Sequence, residues 1–117
     1  MIGFAMCGSY CTHRMALEQL RLLAEKGFSI QPVLSENVYA TDTRFGSASH
    51  LINQVEGICG RSVIHSVVDA EPLGPAVPLD ALIICPCTGN TLAKMAAGIT
   101  DSSVTMAAKA HLRGDRP

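Results

Sequence analysis

Short apolar runs alternate along this chain with stretches whose apolar residues recur at helical spacing. Ile2-Gly3-Phe4-Ala5-Met6 predicts a first strand, which Gly8-Ser9 breaks. Across 12–26, Leu17, Leu20, Leu23 and Ala24 fall on one stripe, while Glu18, Arg21 and Glu25 fall off it, as in an amphipathic helix. Thr12 stands where an N-cap belongs, and Gly27 where a left-handed residue ends a helix. Residues 28–34 predict a second strand, with Pro32 expected at an edge or a bulge because it has no N–H to donate. The stretch 35–46 is polar and turn-rich. Leu51, Ile52, Val55, Ile58 and Cys59 predict a helix over 47–59 that Gly60 stops. Residues 62–70 fit a short strand or a helical turn equally. The three prolines in 71–78 require a loop. Residues 80–85, β-branched at Ile83 and Ile84, predict a buried central strand, followed by a tight loop at 86–91. Helices are expected over 91–98 and 102–112, the second capped by Asp101 or Ser102. The alternation predicts an α/β fold with a doubly wound parallel sheet. Residues 113–117 read as a turn toward a further strand, so the chain is expected to be the N-terminal part of a single domain truncated at its C-terminus.

Composition narrows the class. Hydrophobic residues make up 48% and charged residues 16%, which argues for an ordered chain. Aromatics are only 4% and Trp is absent, so the core must rest on Leu, Ile, Val, Ala and Met. The net charge is −1 and the basic residues are scattered, which argues against nucleic acid as a partner. No apolar run approaches the roughly 20 residues that span a bilayer. The apolar start lacks the basic flank of a signal peptide. A cytoplasmic location without membrane partners is the expectation. The five cysteines are odd in number and irregular in spacing, and read as small buried hydrophobes without disulfides or a metal site.

In open α/β sheets ligands bind beyond the carboxyl ends of the strands. Three loops there carry candidate chemistry. Cys7-Gly8-Ser9-Tyr10-Cys11-Thr12 offers a glycine for close backbone approach and hydroxyls near a helix start, suited to a phosphate. It matches neither dinucleotide nor Walker fingerprints, and an ordinary capped turn reads the same way. In Thr41-Asp42-Thr43-Arg44-Phe45-Gly46, Thr43 and Arg44 suit a phosphate or carboxylate, and Phe45 can wall an aromatic ring. The plain alternative for Arg44 is a solvated side chain. In the third loop Thr88, Gly89, Asn90 and Thr91 cluster donors and acceptors at a helix start, suited to an anion or a flavin's polar edge. Lys94, one turn on, pairs with an acid or is solvated. His13, His50 and Glu71 are near these loops without an assignable role, and no catalytic residue is identified.

The motifs Gly8-Ser9, Thr43-Arg44-Phe45-Gly46, Glu71-Pro72-Leu73-Gly74-Pro75, Pro86-Cys87-Thr88-Gly89-Asn90-Thr91 and Met106-Ala107-Ala108-Lys109-Ala110 resemble, in order and spacing, those of the dipicolinate synthase B subunits. The Gly-Ser and Thr-Gly-Asn-Thr loops are similar to those of the wider flavoprotein family, which includes flavin-dependent cysteine decarboxylases. The resemblance implies a Rossmann-like flavoprotein fold with an FMN-type site at Gly8, Ser9, Thr12, Thr43, Thr88, Gly89, Asn90 and Thr91, and Arg44 as a carboxylate clamp for a small dicarboxylate. It implies an oxidoreductase component that helps oxidise dihydrodipicolinate, or its hydroxylated precursor, to dipicolinic acid during sporulation. The partner would be the A subunit of dipicolinate synthase, carrying NADPH or NADP, and a homo-oligomer follows by analogy. The mother cell of a spore-forming bacterium is the implied location. The alternative is a non-catalytic nucleotide- or FMN-binding module that stabilises its partner. The decarboxylases' catalytic His has no counterpart at 71–75, and relatives extend past Pro117.

Overall fold

The computed structural model describes all 117 residues. Three strands form one parallel sheet in the order β2-β1-β3: β1 (Ile2–Met6), β2 (Ile30–Leu34) and β3 (Ala81–Ile84). The helices are α1 (His13–Glu25), α2 (Glu36–Ala40), α3 (Ala48–Cys59), α4 (Val67–Ala70), α5 (Gly89–Ala96) and α6 (Ser103–Leu112). The expected doubly wound α/β architecture is present.

The period-2 alternation of β1 divides the core between the two faces of the sheet. Phe4 and Met6 point to one side, where they meet Leu17 and Leu20 of α1, Ile30 and Leu34 of β2, and Val55 of α3. Ala5 and Cys7 point to the other, where Val33, Leu73, Leu79 and residues of α6 close over them. The second face is built from small residues because α6 packs close. Where the 72–77 loop passes α6, a Cβ on Gly74 would sit 2.2 Å from the Ala110 carbonyl oxygen, and its φ of +116° also favours glycine.

Several local expectations are revised. β1 lies between β2 and β3; β3 is half-buried throughout, and its Leu82 N–H donates to the Pro117 carbonyl at 3.0 Å. A short apolar run signals burial but carries no information on strand order. Phe28 lies outside β2 and is exposed. Residues 36–40 of the expected loop form α2, because Ser35 caps them and Val38 drops into the core. Residues 10–12 form a 3-10 turn leading into α1, and Thr12 makes no side-chain cap; its hydroxyl donates to the Ser9 carbonyl at 2.7 Å. Ser102, not Asp101, caps α6, in a capping box with Thr105. Asp101 instead receives the Lys94 ammonium at 3.0 Å. The ambiguous stretch 62–70 is both things: Ile64 makes a parallel bridge to Val33, and Val67–Ala70 is helical.

Pro32 keeps its place in β2 through a side-chain substitute. Ile64 donates to the Pro32 carbonyl and Leu34 donates to the Ile64 carbonyl, so the missing Pro32 N–H would have faced Ser62. The Gln31 amide donates to the Ser62 carbonyl at 3.0 Å instead.

Candidate functional site

The carboxyl ends of the strands converge on Cys7. Its backbone N–H donates to the Pro86 carbonyl, joining the first loop to the third. Its carbonyl takes the His13 ring at 2.7 Å. Its sulfur receives the Thr91 hydroxyl at 3.3 Å, and Thr91 in turn accepts from Thr88 at 3.0 Å. Thr88 also caps α5 by accepting from the Thr91 N–H. Thr91 is buried, whereas Gly89 and Asn90 are exposed at the free first turn. A Cβ at Gly89 would meet nothing within 4 Å, so there is open space for a group to approach this backbone.

The end of β2 joins the same cluster through residues that the sequence motifs do not include. Ser35 donates its N–H to the Met6 carbonyl. The Glu36 carboxylate accepts from the Ser103 N–H at 2.8 Å, at the start of α6. The Ser103 hydroxyl donates to the Leu34 carbonyl at 2.6 Å. A serine directly after a predicted strand is the available signal for Ser35. Nothing local points to Glu36 or Ser103, whose contact spans 67 positions.

The second loop sits differently. Thr43 and Gly46 bond each other's backbones in a tight turn, and the Thr43 hydroxyl accepts from the Phe45 N–H. Asp42 and Ser47 cap the start of α3 by accepting from Ala48 and His50. Thr43, Phe45, Tyr10 and His13 line a cleft of about 490 Å³ between α1 and α3. Ser9, Thr12, Arg44, Thr88, Asn90 and Thr91 do not line it. Arg44 lies over the Phe45 ring, 4.9 Å from its centroid, rather than reaching into the cleft. The first loop is thus shared: Cys7 faces the third loop, and Tyr10, Cys11 and His13 face the second.

His65 stacks on Tyr39 with centroids 3.6 Å apart. Glu71 is exposed. Burial pushes the Cys87 thiol up, and neighbouring Cys7 adds to the shift, so Cys87 is not an activated thiolate. The five cysteines are free, and no cluster of metal-ligating side chains exists. No helix is long and apolar enough to cross a membrane.

Comparison with known proteins agrees with this architecture. Over 116 residues the chain is 45% identical to the dipicolinate synthase B subunit of Bacillus subtilis (strain 168), covering 99% of this chain and 58% of that protein. It superposes with a TM-score of 0.86, at 43% identity, on the crystal structure of the dipicolinate synthase B subunit from Bacillus halodurans C, covering 99% and 60% of the two chains. A third likeness is one of fold alone: AnUbiX (PadA1) in complex with FMN and dimethylallyl pyrophosphate, with a TM-score of 0.71 at 19% identity, covering 98% and 60%. The chain therefore spans about three fifths of the length of these relatives. The Flavoprotein family model matches residues 1–117, and the chain belongs to that family.

Proposed function

We propose that this chain is the N-terminal part of a single flavoprotein-like domain serving as the B-type component of a dipicolinate synthase, with an FMN-type flavin held at the strand ends. The observation that carries this is the Cys7 junction. It bonds Cys7, which Gly8-Ser9 follow directly, to Pro86 and to Thr91 in the first turn of α5, beside the open backbone at Gly89. The side chains there are neutral hydroxyl and amide donors, the chemistry that suits a phosphate or the polar edge of a flavin ring. In this reading Gly8 and Gly89 let the backbone approach, Ser9, Thr12, Thr88 and Thr91 shape the loops, and Asn90 presents its amide. Thr43 lines the separate α1–α3 cleft and is left out of this set. Bound flavin would supply a hydride- or electron-accepting centre, which these loop residues would orient.

The similarity to two dipicolinate synthase B subunits supports the assignment to that enzyme. The overall chemistry would be oxidation of dihydrodipicolinate, or its hydroxylated precursor, to dipicolinic acid in the mother-cell cytoplasm during sporulation, beside the synthase's A component, which carries NADPH or NADP. A non-catalytic FMN- or nucleotide-binding role is the second reading. It is favoured by the neutral character of the loop residues at the open turn, none of which is an acid or a base.

The test is FMN titration of the purified full-length protein, followed by visible absorption and fluorescence, and dipicolinate formation with the A component. Saturable FMN binding and a rate that rises with this protein support the first reading. Binding without any effect on the rate selects the second, and no binding overturns both.

A further inference from the structure

The cleft between α1 and α3 has a charge that the chain as a whole lacks. Acidic residues outnumber basic ones, 10 to 9, yet the cleft is lined by Arg14 and Arg21 and by no Asp or Glu. Arg14, Leu17 and Arg21 follow the i, i+3, i+7 spacing that puts them on one face of α1, above the buried floor made by Leu17. His50 and Gln54 face them from α3.

The arginines are available to an anion. Arg21 has no carboxylate partner; the chain's three ion pairs are Met1–Asp80, Arg14–Glu18 and Lys94–Asp101. The Arg14 pair is long, 3.9 Å, and solvated on both sides, which makes it weak. Asp42, the acid nearest the cleft mouth in sequence, is committed to the Ala48 N–H. Tyr10 and Phe45 add aromatic walls, and Arg44 lies over the Phe45 ring, which remains exposed.

We propose that this cleft is the seat of a small, flat, dianionic acid, with Arg21 holding one carboxylate, Arg14 the other, and the ring between Tyr10 and Phe45. Guanidinium groups two helical turns apart, roughly 10 Å along the axis, can close on opposite sides of one ring through their long side chains. This moves the carboxylate clamp from Arg44 to the α1 arginines. That the acid is a pyridine or dihydropyridine dicarboxylate rests on the proposed function; the preference for a planar dianion rests on the cleft.

The test is calorimetric titration of the full-length protein with dipicolinate, picolinate and inorganic phosphate, beside a separate FMN titration. Arg14→Gln and Arg21→Gln, both exposed, are compared with wild type after circular dichroism shows that each is folded. Expected is saturable dipicolinate binding, weakened about tenfold or more by Arg21→Gln, less by Arg14→Gln, with the monocarboxylate about tenfold weaker and FMN affinity unchanged. The proposal is overturned by absent dipicolinate binding, by indifference to both substitutions, by equal affinity for phosphate, or by loss of FMN affinity in Arg21→Gln, which would make the cleft a flavin-phosphate site. Dipicolinate binding in a protein that takes no FMN would uphold the cleft and sink the flavin reading.

Discussion

The Thr91 hydroxyl lies 3.3 Å from the Cys7 sulfur, tying the first turn of α5 to the end of β1 across 84 positions of sequence. Thr91→Val keeps the shape but removes this contact and the acceptor used by Thr88. A loss of roughly 1–2 kcal/mol is expected in urea unfolding, the range for a buried hydroxyl and its orphaned partner. FMN affinity should fall in parallel. A protein destabilised by that amount with unchanged FMN affinity would place the flavin elsewhere.

Two glycines should respond with opposite signs. Gly74→Ala forces a methyl against the Ala110 carbonyl at a left-handed backbone, and should cost about 2–4 kcal/mol. Gly57 lies inside α3, and an added Cβ there would have nothing within 4 Å, so Gly57→Ala should stabilise by about 0.5–1 kcal/mol. Thermal unfolding of both variants checks the pair.

Alkaline stability should depend on Cys59. Burial pushes its thiol up from 9.0 to about 11, although Arg61 pulls the other way. The folded value is the higher one, so its contribution is complete below about pH 9 and declines as pH rises through 9 toward 11. In Cys59→Ala the fall of stability over that window should be shallower than in wild type, measured by denaturant unfolding at each pH. Equal slopes would show that the thiol titrates normally in the fold.

Gln31 and Pro32 should be coupled. Gln31→Met leaves the Ser62 carbonyl without the donor it has now, and should cost roughly 0.5–1.5 kcal/mol. In a Pro32→Val background the restored N–H faces the same carbonyl, so Gln31→Met should cost markedly less. Additive effects in this double-mutant cycle would show that the side chain does not replace the proline's missing donor.

Local patterns are sufficient for much of the fold. The helical stripe of Leu17, Leu20 and Leu23, the left-handed Gly27 and Gly60 that end α1 and α3, and the alternation of strand and helix all depend on interactions within a few residues, which sequence spacing records directly. The hydroxyl-rich loops after β1 and β3 are legible for the same reason, because a strand followed by glycine and threonine before a helix start is a local signal.

What tertiary structure decided involves partners far apart in sequence. That β1 lies between β2 and β3 depends on how the crossovers pass, which no apolar run in the sequence discloses. Glu36 accepts from the Ser103 N–H at the start of α6 only because the end of β2 meets that helix. Arg44 lies over the Phe45 ring and outside the cleft lining, whereas Arg14 and Arg21 line the cleft because α3 packs opposite α1. A side chain's type is local information, but the direction in which its charge acts is set by the element packed against it.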